Sequence, residues 1–100
     1  MNKMIFRIKE KIESKEHILN GSLTKKYKQC GKINCRCRKN IEFWHGPYFI
    51  WTRKENGKTI TKTLNKDQAT AVKKAIKDMK ELNRNIEKWK ELSLKEIEKL

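Results

Sequence analysis

Long apolar runs are missing from this chain: none approaches the roughly 20 residues that a transmembrane helix needs. The first residues also lack the apolar centre of a secretory signal, because Ile5 to Ile12 is interrupted by Arg7, Lys9, Glu10 and Lys11. Cysteine is scarce and odd in number, three in all with two in a Cys-x-Cys pair, which argues against a secreted disulfide framework. The expected setting is the reducing cytoplasm. Apolar residues make up 36% of the 100 positions against 38% charged, so the core is thin and the chain is one domain at most with flanking elements. No Ser/His/Asp constellation, paired carboxylates or glycine-rich phosphate loop is present. Glu42 is the one acid near the cysteines, and a catalytic metal would need a general base there, so no enzymatic activity is expected.

Acidic residues are missing chiefly from the middle. Residues 1–20 carry five basic and three acidic side chains, and residues 65–100 carry ten and seven. Residues 21–64 carry eleven basic side chains against Glu42 and Glu55, so nine of the net fourteen positive charges sit there. Interspersed charge is a solvated helix, whereas a one-signed segment is the footprint of a polyanion partner. Nucleic acid is the expected partner of the middle segment.

Three segments follow from periodicity. In residues 1–20, Met4, Ile5, Ile8, Ile12 and Leu19 recur at helical spacing, predicting an amphipathic helix over about 2–18 that Asn20-Gly21 stops. The stripe lapses for a turn at Lys15 and Glu16. In residues 21–64, Ser22–Lys28 reads as a short strand with Leu23 and Tyr27 on one side. Residues 48–54 are rich in aromatic and β-branched side chains, Asn56-Gly57 is the preferred pair for a type I′ turn, and residues 58–64 form the return strand. That turn pairs Glu55 with Lys58, Arg53 with Ile60, Trp51 with Lys62, and Phe49 with Leu64. The face holding Phe49, Trp51, Ile60 and Leu64 is expected to pack on a helix. The opposite face, with Tyr48, Ile50, Thr52, Lys54, Thr59, Thr61 and Thr63, reads equally as an ordinary exposed sheet face or as one that reads nucleic acid.

In residues 65–100, Asn65 and Gln68 form a capping box that opens a long helix. Val72, Ala75, Met79, Leu82, Ile86 and Trp89 continue it as a coiled-coil-like seam. Ser93-Leu94-Lys95-Glu96 is a second capping box, predicting a break near Ser93 and a short final helix. The seam suits either the first helix or a homodimer through residues 72–89. The expected class is α+β: an N-terminal helix, a small three-stranded antiparallel sheet with a zinc-stapled loop, and a long C-terminal helix broken near Ser93.

The cysteines carry the chemistry. All three lie in Cys30-Gly31-Lys32-Ile33-Asn34-Cys35-Arg36-Cys37, and His45-Gly46-Pro47-Tyr48 follows. Cys30, Cys35, Cys37 and His45 make a full tetrahedral donor set for one structural zinc ion, although Cys-x-Cys is tighter than the usual spacing. His17 is a rival fourth ligand. The flanking Lys32, Arg36, Arg38 and Lys39 argue against the thiols being buried hydrophobes, and Cys-x-Cys lacks the helix N-terminus of redox motifs.

Gly21-Ser22-Leu23, Tyr27, Cys30-Gly31-Lys32, Cys35-Arg36-Cys37, His45-Gly46-Pro47-Tyr48 and Gly57-Lys58 together resemble a family of small, functionally uncharacterised prokaryotic proteins. The resemblance covers about residues 20–90 and implies a shared metal-and-hairpin module. Asn40-Ile41-Glu42-Phe43-Trp44 is bulkier than the pattern's usual loop. A weaker, architectural likeness is to the DNA-binding domains of some phage-type integrases, which lay a three-stranded sheet in the major groove.

The expected function is a non-enzymatic, zinc-containing DNA-binding protein, such as a small regulator or a mobile-element accessory factor. Lys25, Lys26, Lys28, Arg36, Arg38, Lys39, Arg53, Lys54, Lys58 and Lys62 are the candidates for phosphate neutralisation, and Tyr48, Thr52, Thr59 and Thr61 for base contact. RNA binding, with Tyr48 and Trp44 stacking on unpaired bases, is one alternative. A protein-interaction adaptor that dimerises through the C-terminal helix is the other.

Overall fold

A computed structural model of the chain describes residues 2–29, 32 and 34–100, without the side chain of Cys37. The elements are α1 (Lys3–Glu13), β1 (Ser22–Lys28), β2 (His45–Glu55), β3 (Lys58–Leu64) and α2 (Lys66–Glu98). Two 3-10 turns, Arg36–Arg38 and Ile41–Phe43, lie between β1 and β2. The architecture is α+β: in chain order an N-terminal helix, an antiparallel sheet in the order β1-β2-β3, and a long C-terminal helix. The chain divides into two compact units, Gly21–Lys73 and the segment up to Asn20 together with Lys74–Leu100.

Within Gly21–Lys73, the hairpin sets the geometry. Asn56 and Gly57 have φ of 52° and 79°, the positive pair that a type I′ turn requires. The register is the one the turn predicts, from Glu55 opposite Lys58 to Phe49 opposite Leu64. Trp51 and Leu64 are buried, and Phe49 and Ile60 on the same face are half-buried. β1 adds Leu23 opposite Trp51 and Lys25 opposite Phe49. The ladder between β1 and β2 is irregular beyond Lys26, because Lys26 pairs with Tyr48 and Lys28 with His45. Gly46 and Pro47 therefore both oppose Tyr27, which stays 51% exposed where Leu23 is half-buried.

β3 passes directly into α2 through the capping box. The Gln68 N–H donates to Asn65 Oδ1 at 2.8 Å, and the Asn65 N–H donates to Gln68 Oε1 at 3.1 Å. The first two turns of α2 then contribute Ala69 and Val72, which with Trp51 and Leu64 are the buried side chains among the described residues of this unit.

In the other unit, Asn2 caps α1 by accepting from the Met4 N–H at 2.8 Å. The helix ends at Glu13 with Ser14 as its C-cap, several residues short of the expected stop at Asn20-Gly21. The lapse in the apolar stripe at Lys15 is the reason: Lys15 donates to Glu81 at 3.0 Å, and the Leu19 N–H reaches the Ala75 carbonyl at 3.2 Å. Lys9 Nζ lies 5.2 Å from the Trp89 ring centroid. Partner numbers fall as N-terminal numbers rise, so this segment runs antiparallel along α2. It covers the seam within one chain, with Ile5, Ile8 and Ala75 buried and Met79, Leu82, Ile86 and Trp89 half-buried. The Lys15 ammonium also holds the Glu81 carboxyl below its ordinary value, with Lys77 and Arg84 adding to the effect. The stabilisation from that pair is present above the carboxyl's unfolded-state pKa and is lost as pH falls through the folded-state value.

α2 is unbroken at Ser93, contrary to the capping-box expectation. A serine inside a helix costs only a few tenths of a kcal/mol, about 0.5 relative to alanine. The Lys95–Glu91 ion pair at 3.4 Å bridges the position, and no glycine or proline interrupts Lys66–Glu98. No helix among the described residues is long and apolar enough to cross a membrane.

Gly21 has φ of 116°, and a Cβ there would collide with the Thr52 carbonyl oxygen and stand 2.7 Å from Trp51 Nε1. A Cβ on Gly57 would meet nothing within 4 Å, so only its φ of 79° opposes substitution. Gly21→Ala is expected to lower stability by about 2–3 kcal/mol and Gly57→Ala by about 1 kcal/mol, measured by urea unfolding.

Candidate nucleic-acid interface and metal centre

The open face of the sheet is built by the hairpin register. It carries Tyr48, Ile50, Thr52 and Lys54 from β2, and Thr59, Thr61 and Thr63 from β3. Pairing of β1 brings Ser22 opposite Thr52, Thr24 opposite Ile50 and Lys26 opposite Tyr48. Ser22, Thr52 and Thr61 thus form a row of hydroxyls across all three strands, spanning about 10 Å. Ser22 and Thr24 were not among the sequence candidates. Nothing local to β1 reveals which strand it joins, and the serine and threonine alternation was the one available signal.

The basic candidates fall into three groups. Lys26 and Lys54 lie on the open face, and Lys28 Nζ sits 4.7 Å above the Tyr48 ring beside it. Arg36, Arg38 and Lys39 lie in or just after the first 3-10 turn, where Arg38 Nε donates to the Lys32 carbonyl at 3.2 Å and Arg36 lies 5.7 Å from the Phe43 ring centroid. Lys25, Arg53, Lys58 and Lys62 share the opposite face with Trp51. Arg53 is engaged there: its guanidinium stacks 4.2 Å from the Trp51 ring centroid and pairs with Glu55 at 3.4 Å.

The loop returns its end to β2. The Cys35 N–H donates to the Lys32 carbonyl at 3.3 Å, and Asn40 opens the second 3-10 turn by accepting from the Glu42 N–H at 3.4 Å. This folding places Cys35 Sγ 3.1 Å from His45 Nε2, within hydrogen-bond reach. Two of the four expected zinc ligands are therefore adjacent. Cys30 and the Cys37 side chain lie outside the described residues, and no cluster of three ligands is found among those that are described. His17 belongs to the unit containing α1, in the irregular stretch after it. A sulfur and a nitrogen bound tetrahedrally to one zinc stand about 3.5 Å apart, so the Cys35–His45 pair needs to open by only about 0.4 Å to hold one.

The fold and site define a small, strongly basic α+β protein with an open three-stranded sheet and a cysteine–histidine loop at one strand end. Residues 2–74 match a family described as a domain of unknown function (DUF6788), and the chain belongs to that family. No curated protein and no solved structure matches the chain.

Arg53→Ala, which removes the guanidinium from Trp51 and Glu55, is expected to destabilise the protein by about 1–2 kcal/mol. Lys54→Ala, on the open face, is expected to stay within about 0.5 kcal/mol in the same denaturation experiment.

Proposed function

We propose that the protein binds duplex DNA through the open face of its sheet, with the cysteine–histidine loop held by one structural zinc ion. The observation that carries this reading is the coincidence of a one-signed segment, eleven basic residues against two acids in 21–64, with a sheet face made largely of threonine, lysine and one tyrosine. Hydroxyls and amines on a pleated surface supply donors for phosphates and base edges. A β-ribbon fits a major groove about 12 Å wide. Lys26, Lys28 and Lys54 flank Tyr48, Thr52, Thr59 and Thr61, and Arg36, Arg38 and Lys39 extend the positive surface along the loop.

Zinc suits this unit for a physical reason besides its donor set. Among the described residues of Gly21–Lys73, the buried side chains are Trp51, Leu64, Ala69 and Val72, a small core for which a metal staple is a common supplement. Cys30, Cys35, Cys37 and His45 would hold the ion and fix the loop against β2.

Neutralising six or more phosphates makes DNA affinity fall by about 10³-fold or more between about 50 and 200 mM salt, read by fluorescence anisotropy on a labelled duplex. A flat salt response overturns the DNA reading, and tighter binding to single-stranded RNA of equal length assigns RNA instead. Protein purified without added metal is expected to carry about one zinc per chain. Cys35→Ser is expected to lose both the metal and part of the folded circular-dichroism signal; absence of metal from the unsubstituted protein overturns the zinc assignment.

A further inference from the structure

One side chain is out of keeping with the open face of the sheet. From the Lys26–Tyr48 pair to the Lys54–Thr59 pair, every other residue paired across that face carries a hydroxyl or an ammonium group, and Ile50 alone is pure hydrocarbon. It sits near the centre, on the middle strand, opposite Thr24 of β1 and Thr63 of β3. The Ser22–Thr52–Thr61 row lies on one side of it and the Lys26–Tyr48 pair on the other. Ile50 is half-buried among these neighbours, while Thr24 and Thr63 are exposed, so the row lies open to solvent. Two of the polar groups around it are already engaged within the sheet. The Thr24 hydroxyl donates to the Ile50 carbonyl at 3.4 Å, and Lys28 Nζ lies 4.7 Å from the Tyr48 ring centroid. The ring face that Lys28 covers is closed to a stacking base. Contact at the middle of the face therefore falls to hydrocarbon.

We infer that Ile50 reads the C5 methyl group of thymine in the major groove, so that the sheet prefers A·T to G·C pairs where Ile50 meets the base edges. This inference rests on the duplex-DNA reading and deepens it. Thymine alone among the bases presents a hydrocarbon group on its major-groove edge. An aliphatic chain laid on that methyl removes apolar surface of both partners from water. Against a G·C pair the same chain would cover the guanine O6 and N7 and the cytosine N4 without offering a hydrogen bond, and polar groups left dry and unpaired are unfavourable. Attraction to one pair and a penalty on the other act in the same direction. The hydroxyls of Thr52, Thr61 and Thr63 both donate and accept, so they suit adenine and thymine edges alike and do not oppose the preference. Lys26 and Lys54, at opposite ends of the face, meet phosphates of any sequence. The lysines set affinity, and Ile50 sets preference.

Two labelled duplexes of equal length, one of alternating A·T pairs and one of alternating A·U pairs, differ only in the C5 methyl. Fluorescence anisotropy at one fixed low salt is expected to show tighter binding of the full chain to the A·T duplex, by about fourfold for each methyl covered. Ile50→Ser is expected to bring that ratio close to one, with the salt dependence of binding and the circular-dichroism signal unchanged. Ile50→Val keeps a β-branched aliphatic chain and should retain most of the ratio. Equal affinity of the unsubstituted protein for the two duplexes, with a steep salt response, overturns the thymine inference and leaves DNA binding standing. That comparison needs no variant, so it decides even where Ile50→Ser fails to fold. A ratio that persists in folded Ile50→Ser overturns the assignment to Ile50. Absence of binding to either duplex overturns the DNA reading and this inference together.

Discussion

The two-residue turn at Asn56-Gly57 is the constraint on which the sheet depends. Both residues take positive φ, so β2 and β3 can meet in one register only. That register puts Trp51 and Leu64 on the face that shares a core with Ala69 and Val72, and puts Thr59, Thr61 and Thr63 on the other. A slip of one residue would exchange the faces, burying hydroxyls and exposing the indole. The candidate interface and the core are thus two consequences of the same turn.

Trp51 is braced within this unit. Its ring is stacked by Arg53, and its indole nitrogen lies where a Cβ on Gly21 would intrude. β2 is paired on both sides, so it collects the contacts of the whole sheet, while β1 and β3 are edges. Lysines on those edge strands guard them against pairing with other chains, which gives part of the positive charge a structural use as well. The loop between β1 and β2 then closes on the end of this central strand, where Cys35 meets His45.

Much of this was legible locally. The hairpin, its register and the Asn65–Gln68 capping box need only neighbouring residues, and each is present as read. The end of α1 and the continuity of α2 at Ser93 differ from the reading for separate reasons. Lys15 is drawn to Glu81, a contact that local sequence does not show, whereas Ser93 stays inside a helix that no glycine or proline interrupts, beside the Glu91–Lys95 pair that local sequence already contains. Ser22 and Thr24 escaped notice because their partners in β2 lie more than twenty residues away.

By itself, then, the sequence determined the elements whose hydrogen bonds are short in range: a turn that two residues dictate, a helix start that four residues dictate, and a charge excess that needs no geometry at all. Tertiary structure decided the rest. It assigned the seam of α2 to the chain's own N-terminal segment, brought Cys35 to His45 across the loop, stacked Arg53 on Trp51, and aligned hydroxyls from three strands in one row. Apart from Arg53, which lies two residues from Trp51, these contacts join residues well separated in the chain. Their choice of partner is fixed by which apolar faces are buried together, and that is settled only when the whole chain folds.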